Sequence, residues 1–163
     1  MLTLTDDMIT ALAADIDVAR RDPAVGAEVA AIYQELTGRI AARRPRCDRS
    51  GACCRFEQYG HRLFVTTVEL AAFATGLKAE DATRLSDTPG EGCVFQVRGL
   101  CGVHTIRPFG CRMFFCDPDA SDWQQEQYEH FHLELKALHD RLSVPYRYVE
   151  WRQGLRALAR LSY

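Results

Sequence analysis

The cysteines of this chain come in two tight groups, and that grouping limits what the chain can become. Cys47, Cys53 and Cys54 form the first group; Cys93, Cys101, Cys111 and Cys116 form the second. Seven thiols in 163 residues point to disulfides, a metal or redox chemistry. The plain alternative is that several are buried structural thiols, since free cysteine packs as a small hydrophobe. An odd count argues against a closed disulfide framework. The N-terminus, Met-Leu-Thr-Leu-Thr-Asp-Asp-Met-Ile-Thr, has no basic start followed by an apolar block, so it reads as carrying no secretion signal. The expectation is a cytoplasmic chain, and structural disulfides are rare in that reducing compartment. Metal or redox chemistry therefore leads.

Bulk properties allow a folded core. The chain is 47% hydrophobic and 26% charged, ordinary for a globular protein and long enough not to depend on staples. The expected organisation is a single domain in three parts. These are N-terminal helices over 1–45, a cysteine-cluster core over 46–117 and C-terminal helices over 118–163. A formal net charge of −2 argues against a broad nucleic-acid surface. No run of about 18 apolar residues is present, so no membrane span is expected.

Apolar periodicity places the helices. Thr5 suits the cap of a first helix, with Asp6 and Asp7 in its first turn, and Ile9, Leu12, Ala13 and Ile16 mark one face. Pro23 suits a helix start. Val25, Val29, Ile32, Leu36 and Ile40 then form one stripe, which Pro45 ends. Residues 46–61 read as an irregular loop and 61–66 as a short strand. Thr66 or Thr67 caps the next helix, with Gly76 at its left-handed C-terminal position. Residues 78–92 are polar and turn-rich. Cys93–Val97 and Leu100–Val103 pair as a hairpin around Arg98-Gly99, and a short helix or turn follows Thr105. Tyr128, Phe131, Leu135, Leu138 and Leu142 predict a long helix ended near Pro145. A last helix is predicted from about Tyr148 through Leu161. The expected fold class is mainly α: a helical shell around an irregular cysteine-rich metal-binding centre, with a little β-structure.

Thiolates are soft ligands, so a cysteine-rich loop selects zinc or an iron–sulfur cluster over magnesium or calcium. Either needs about four ligands converging from separate segments. The spacing fits neither a zinc ribbon nor a ferredoxin run, and it leaves open which four bind. Cys93, Cys101, Cys111 and Cys116 are the first candidates, with Cys53 and Cys54 next and Cys47 within the same pattern. Adjacent residues such as Cys53 and Cys54 seldom both ligate one ion from extended backbone.

The stretch Cys101-Gly-Val-His-Thr-Ile-Arg-Pro-Phe-Gly-Cys-Arg-Met-Phe-Phe-Cys116 is the most specific in the chain. With Cys47, Cys53, Cys54, Glu69 and Cys93 it resembles the YkgJ-type cysteine-cluster family, described as a zinc- or iron-chelating domain. The family pattern is Cys-x-x-Cys-x-x-Cys-Cys, an acidic residue on a following helix, a cysteine pair, Arg-Pro and a closing Cys-Arg-x-Phe-x-Cys. The resemblance covers roughly 47–116 and is carried by Arg107, Pro108, Cys111, Arg112, Phe114 and Cys116. Ser50 stands where the family has its second cysteine, and His104 where it has tyrosine or histidine. The resemblance implies metal binding. Because the family includes a flagellin lysine N-methylase associated with an iron–sulfur cluster, it also implies an alternative, an N-methylase-like enzyme. No adenosylmethionine-type glycine motif follows a strand here.

Seven arginines lie between 39 and 62 against only Asp48 and Glu57. Cations beside thiols favour the thiolate and offset the excess negative charge of thiolates on a metal. The competing reading is a solvated helix end. A nucleic-acid patch there has aromatic support from Phe56 and Tyr59 alone. Arg107 and Arg112 are expected to hold the cysteine loop, with Arg107 bonding carbonyls or Glu69. His104 reads first as a packed, hydrogen-bonded side chain in place of the family's tyrosine and second as a nitrogen ligand, and His61 is a lesser ligand candidate, while His130, His132 and His139 read as core or surface residues. The functional expectation is a metal-binding protein with a structural, storage, delivery or redox role. Its partner is a metal ion or cluster, with room for a protein partner.

Overall fold

The computed structural model describes residues 3–87 and 92–163; of the polar stretch 78–92, residues 88–91 lie outside the described residues. Helix α1 (Asp6–Ala19) starts where Thr5 Oγ1 accepts the Met8 N–H, and it buries Ile9, Leu12, Ala13 and Ile16. Helix α2 (Pro23–Arg43) opens on its proline, with Asp22 capping the Ala24 N–H. Its stripe of Val25, Val29, Ile32 and Leu36 is buried. Arg44 then turns into the left-handed region, one residue before Pro45.

The chain next runs through a short 3-10 turn (Ala52–Cys54), α3 (Phe56–Tyr59) and β1 (Phe64–Thr66) into α4 (Thr67–Gly76). Thr66 and Glu69 form a capping box at the start of α4, satisfying two otherwise orphaned N–H groups. Val68, Leu70, Ala71, Phe73 and Ala74 of α4 are all buried. An all-round apolar helix belongs at the centre of a fold, and α4 touches α1, α2, α7 and α8.

After α5 (Ala79–Ala82) and a 3-10 turn (Thr83–Ser86) comes the hairpin of β2 (Gln96–Val97) and β3 (Leu100–Cys101). Arg98 and Gly99 both take positive φ, as a two-residue hairpin turn of this hand requires. A short α6 (Phe109–Arg112) and a 3-10 turn (Pro118–Ala120) lead to α7 (Ser121–Leu142). Phe131, Leu135 and Leu138 of α7 face the core, and Ser143 ends it in the left-handed region. One continuous apolar core links Ile9 and Leu12 of α1 to Leu155 and Leu158 of α8 (Trp151–Leu158). Mainly helical architecture with little sheet is thus observed, and among the described residues no helix is long and apolar enough to cross a membrane.

Three local expectations need correction, the first being the loop over 46–61, which holds the 3-10 turn and α3. Tyr148–Glu150 is not the start of the last helix but strand β4, antiparallel to β1 in the register Phe64↔Glu150, Val65↔Val149, Thr66↔Tyr148. A three-residue strand whose partner lies some eighty positions away leaves no local signal. The helix begins one residue later, where Glu150 caps the Arg152 N–H. Gly76 does not take the left-handed cap position; it is the last residue of α4, and the cap, Leu77, is extended. Its reason is space, because a Cβ there would lie 2.8 Å from Ile106 Cγ2.

Candidate metal centre

Three short segments bring thiols to one place: the Ala52–Cys54 turn, the hairpin with its approach (Cys93 and Cys101), and α6 with Cys111. Backbone bonds stitch them together. The Cys93 N–H donates to the Cys54 carbonyl at 2.8 Å, and Gln96 Nε2 donates to the Gly51 carbonyl at 3.0 Å. Gly51 has φ +72, and a Cβ there would meet the Gly99 carbonyl at 2.5 Å. The turn and the hairpin can therefore approach this closely only with glycine at 51.

A cavity of about 340 Å³ opens between these segments, with Cys47, Cys53, Cys54, Cys101 and Cys111 on its walls. Three basic residues, Arg49, His104 and Arg107, line it as well. The Cys54 sulfur is 4.0 Å from that of Cys53, and Cys101 and Cys93 are the other thiols that act on it. Cys93 also accepts a hydrogen bond from Trp151 Nε1 at 3.5 Å. Because the 52–54 segment is a 3-10 turn rather than extended chain, neighbouring Cys53 and Cys54 both reach the cluster. All seven cysteines are free.

The thiols do not titrate alike. Donation from Cys54 draws Cys53 down to about 6, with the Arg107 charge helping, and brings Cys93 to about 7. Cys101 is lowered by the same donor. Cys54 is pushed far up by those three partners, chiefly Cys101. Burial, then the charges of neighbouring thiolates, push Cys111 well up. The neighbours of Cys54 are thus shifted towards the thiolate and Cys54 itself away from it.

Of the first four candidates, Cys93, Cys101 and Cys111 belong to this cluster or its walls. Cys116 does not line the cavity; its Sγ lies 3.8 Å from Ser50 Oγ, and its carbonyl accepts from Arg46. Cys47 is exposed at the cavity wall. Among the described residues no group of three His, Cys, Asp or Glu side chains is drawn in to the geometry of a metal-coordinating set. The thiols pack S–H to S instead. The Cys53–Cys54 sulfur separation of 4.0 Å is nonetheless close to the edge of a tetrahedron of thiolates around zinc, about 3.8 Å for metal–sulfur bonds near 2.3 Å.

Of the two arginines expected to hold the cysteine loop, Arg112 does so and Arg107 does not. Arg112, not Arg107, ties down the loop: its Nε donates to the Arg107 carbonyl at 2.8 Å and its Nη2 to the Thr105 carbonyl at 2.9 Å. Its guanidinium also lies 4.3 Å from the centre of the Tyr33 ring. Glu69 binds no arginine. Its Oε1 accepts the Phe109 N–H at 2.9 Å and the Tyr33 hydroxyl at 3.2 Å, and its Oε2 accepts the Thr66 N–H and hydroxyl. This buried carboxyl fastens the cysteine-bearing α6 to α4. Burial raises its pKa, and the four donors oppose that. Tyr33 was missed by sequence reasoning because it sits on α2 like any partly buried aromatic. The Arg107 side chain makes no hydrogen bond or ion pair among the described residues, and its Nε is enclosed.

The histidines divide cleanly. His104 is exposed at the cavity wall, and burial and the nearby arginines lower its pKa. His61 stands behind the thiols between Phe56 and Phe114, with Nε2 3.3 Å from the Cys53 carbonyl and Nδ1 enclosed without a partner. His130 bonds Arg39 and His132 bonds Tyr146. His139 is buried, with Nδ1 donating to the Val144 carbonyl at 3.1 Å. No family model, no curated protein and no solved structure matches this chain.

Proposed function

We propose that this chain is a metal-binding protein whose thiol cluster holds zinc or an iron–sulfur cluster in a structural, storage, delivery or redox role. The observation that carries the reading is that Cys53, Cys54, Cys101 and Cys111 line one cavity, with Cys93 tied to the Cys54 backbone, thiols from distant places in the sequence with no disulfide between them. Soft donors in that number suit zinc and iron–sulfur centres alike. The donor set fits such a group: Cys53, Cys54, Cys93 and Cys101 would hold it, with Cys111 as the neighbouring reserve. When bound, zinc would supply a closed structural tie or a Lewis acid, and a cluster would supply electron transfer. Free thiols at this density suit a reducing compartment, and the cytoplasm remains the proposed location. The YkgJ-type resemblance supports the same reading.

A second reading is an enzyme resembling the lysine N-methylase of that family. The cavity favours it: about 340 Å³ is several times what a single ion fills, given about 30 Å³ for one water, and a catalytic centre needs space beside its metal. The test is elemental analysis and a UV–visible spectrum of anaerobically purified protein. Visible absorption with iron selects the cluster, and a colourless zinc-replete protein selects zinc. Protein that carries neither and binds neither on reconstitution refutes metal binding. Methyl transfer from added adenosylmethionine to a lysine-containing protein by the loaded form, leaving adenosylhomocysteine, selects the enzyme.

A further inference from the structure

Among the described residues, neither Arg107 nor Arg49 at the cavity has a hydrogen-bond or ion-pair partner, and Arg107 is the less exposed of the two. Arg112 spends its donors on carbonyls. Arg49 is exposed, so solvent screens it. Arg107 is partly buried, its Nε is enclosed with no partner, and it shares the cavity walls with Cys53, Cys54, Cys101 and Cys111. An enclosed donor without a partner is costly and is rarely left so. Pro108 follows it with φ −68, and proline restricts the residue before it, so Arg107 enters from fixed backbone.

Thiolate charge is what this position lacks a balance for. Four thiolates on a divalent ion leave an excess of two negative charges, and an iron–sulfur cluster with four thiolates is likewise anionic. In a partly enclosed site that excess must be offset nearby. Arg107 lines the same cavity as Cys53 of the Ala52–Cys54 turn and Cys111 of α6, so it stands between separate segments of the centre. We propose that Arg107 is a positioning residue, the counter-cation of the thiolate centre, which sets how tightly the loaded metal is held without ligating it. The proposal rests on the metal-binding reading above.

The test is zinc affinity, measured by competition with a chromophoric chelator, for wild type, Arg107→Gln, Arg107→Lys and Arg49→Gln, with melting of the metal-free proteins alongside. Loss of a group that supports metal ligands costs about 10–100-fold in affinity, and Arg107→Gln should lose that much. Arg107→Lys restores the charge but not the planar fork and should recover part of the loss. Arg49→Gln should change affinity much less. The metal-free melting curves should coincide, which a merely structural arginine would not allow. Wild-type zinc binding with unchanged affinity in Arg107→Gln overturns the counter-cation and leaves the metal reading standing. So does equal loss in Gln and Lys variants together with a lowered metal-free melting point, which makes Arg107 structural. A wild type that binds neither zinc nor iron overturns both.

Discussion

The helical frame and the cysteine centre are stabilised in opposite ways. In the frame, Ile9, Leu12, Ile16, Leu36, Leu70, Phe131, Leu135 and Leu138 are fully buried side chains with no polar burden. Each such burial contributes roughly 1.5–3 kcal/mol. In the centre, the interior is made of thiols, an enclosed Arg107 Nε and an enclosed His61 Nδ1. Among the described residues there, Phe56, Phe95, Val103, Phe109, Met113 and a few small residues supply the apolar burial. A region built this way is poor at holding itself together, so the frame explains why the chain folds, and the centre depends on it.

Metal removal should separate the two most widely. Structural zinc contributes roughly 10–16 kcal/mol in small domains, comparable to the whole stability of a typical domain. Here the frame has its own core, so Cys101→Ser or Cys54→Ser should abolish metal retention and expose the amides of 46–62 and 92–117. Protection in α1, α2, α4 and α7 should persist. Hydrogen exchange on the variants checks this, and a uniform loss of protection would erase the distinction between the regions.

Truncation in the frame should act the other way. Phe131 is fully buried and packs against Phe109, and Phe131→Ala should cost about 3–5 kcal/mol. Denaturant unfolding should show one lowered global transition, with metal stoichiometry intact in the folded protein.

Glu69 joins the regions, so its replacement should weaken the joint. In Glu69→Gln an amide N–H₂ must face either the Phe109 or the Thr66 N–H, at a cost of about 1–3 kcal/mol. Burial raises the Glu69 pKa above the ordinary value near about 4.3, so the fold favours the protonated form. That contribution is full below the ordinary value and is lost as pH rises through the raised one. The stability gap between wild type and Glu69→Gln should narrow over that window in urea titrations.

The smallest effect belongs to Cys116. Its sulfur faces Ser50 rather than the cluster, so Cys116→Ser should leave metal content unchanged in elemental analysis. A loss equal to that of Cys101→Ser would extend the centre to Ser50 and restore the first four sequence candidates.

Much of the frame was legible because its signals are local. Thr5, Pro23 and the Thr66–Glu69 box announce helix starts within a few residues, and the α2 and α7 stripes repeat within a turn. The Arg98-Gly99 hairpin is equally local. What stayed hidden depends on distance: β4 exists only because β1 is beside it, Gly76 only because Ile106 crosses α4, and the second role of Glu69 only because α6 docks on it. In the centre, the two cysteine groups were visible, but the sulfurs that meet were not. Spacing ranks Cys116 with Cys111, whereas the Gly51 turn swings Cys53 and Cys54 inward and leaves Cys116 beside Ser50. That Arg112 alone ties the loop down has the same origin, since spacing suits either arginine to that role.

The most direct test of the thiol centre is differential alkylation of the metal-loaded and chelator-treated protein, read residue by residue by mass spectrometry against metal content. The account predicts that chelation releases the metal and sharply raises labelling at Cys53, Cys54, Cys93 and Cys101 while Cys47 and Cys116 label alike in both samples. Equal labelling of those four thiols before and after chelation, in a protein that gives up metal, would place the metal elsewhere and contradict it.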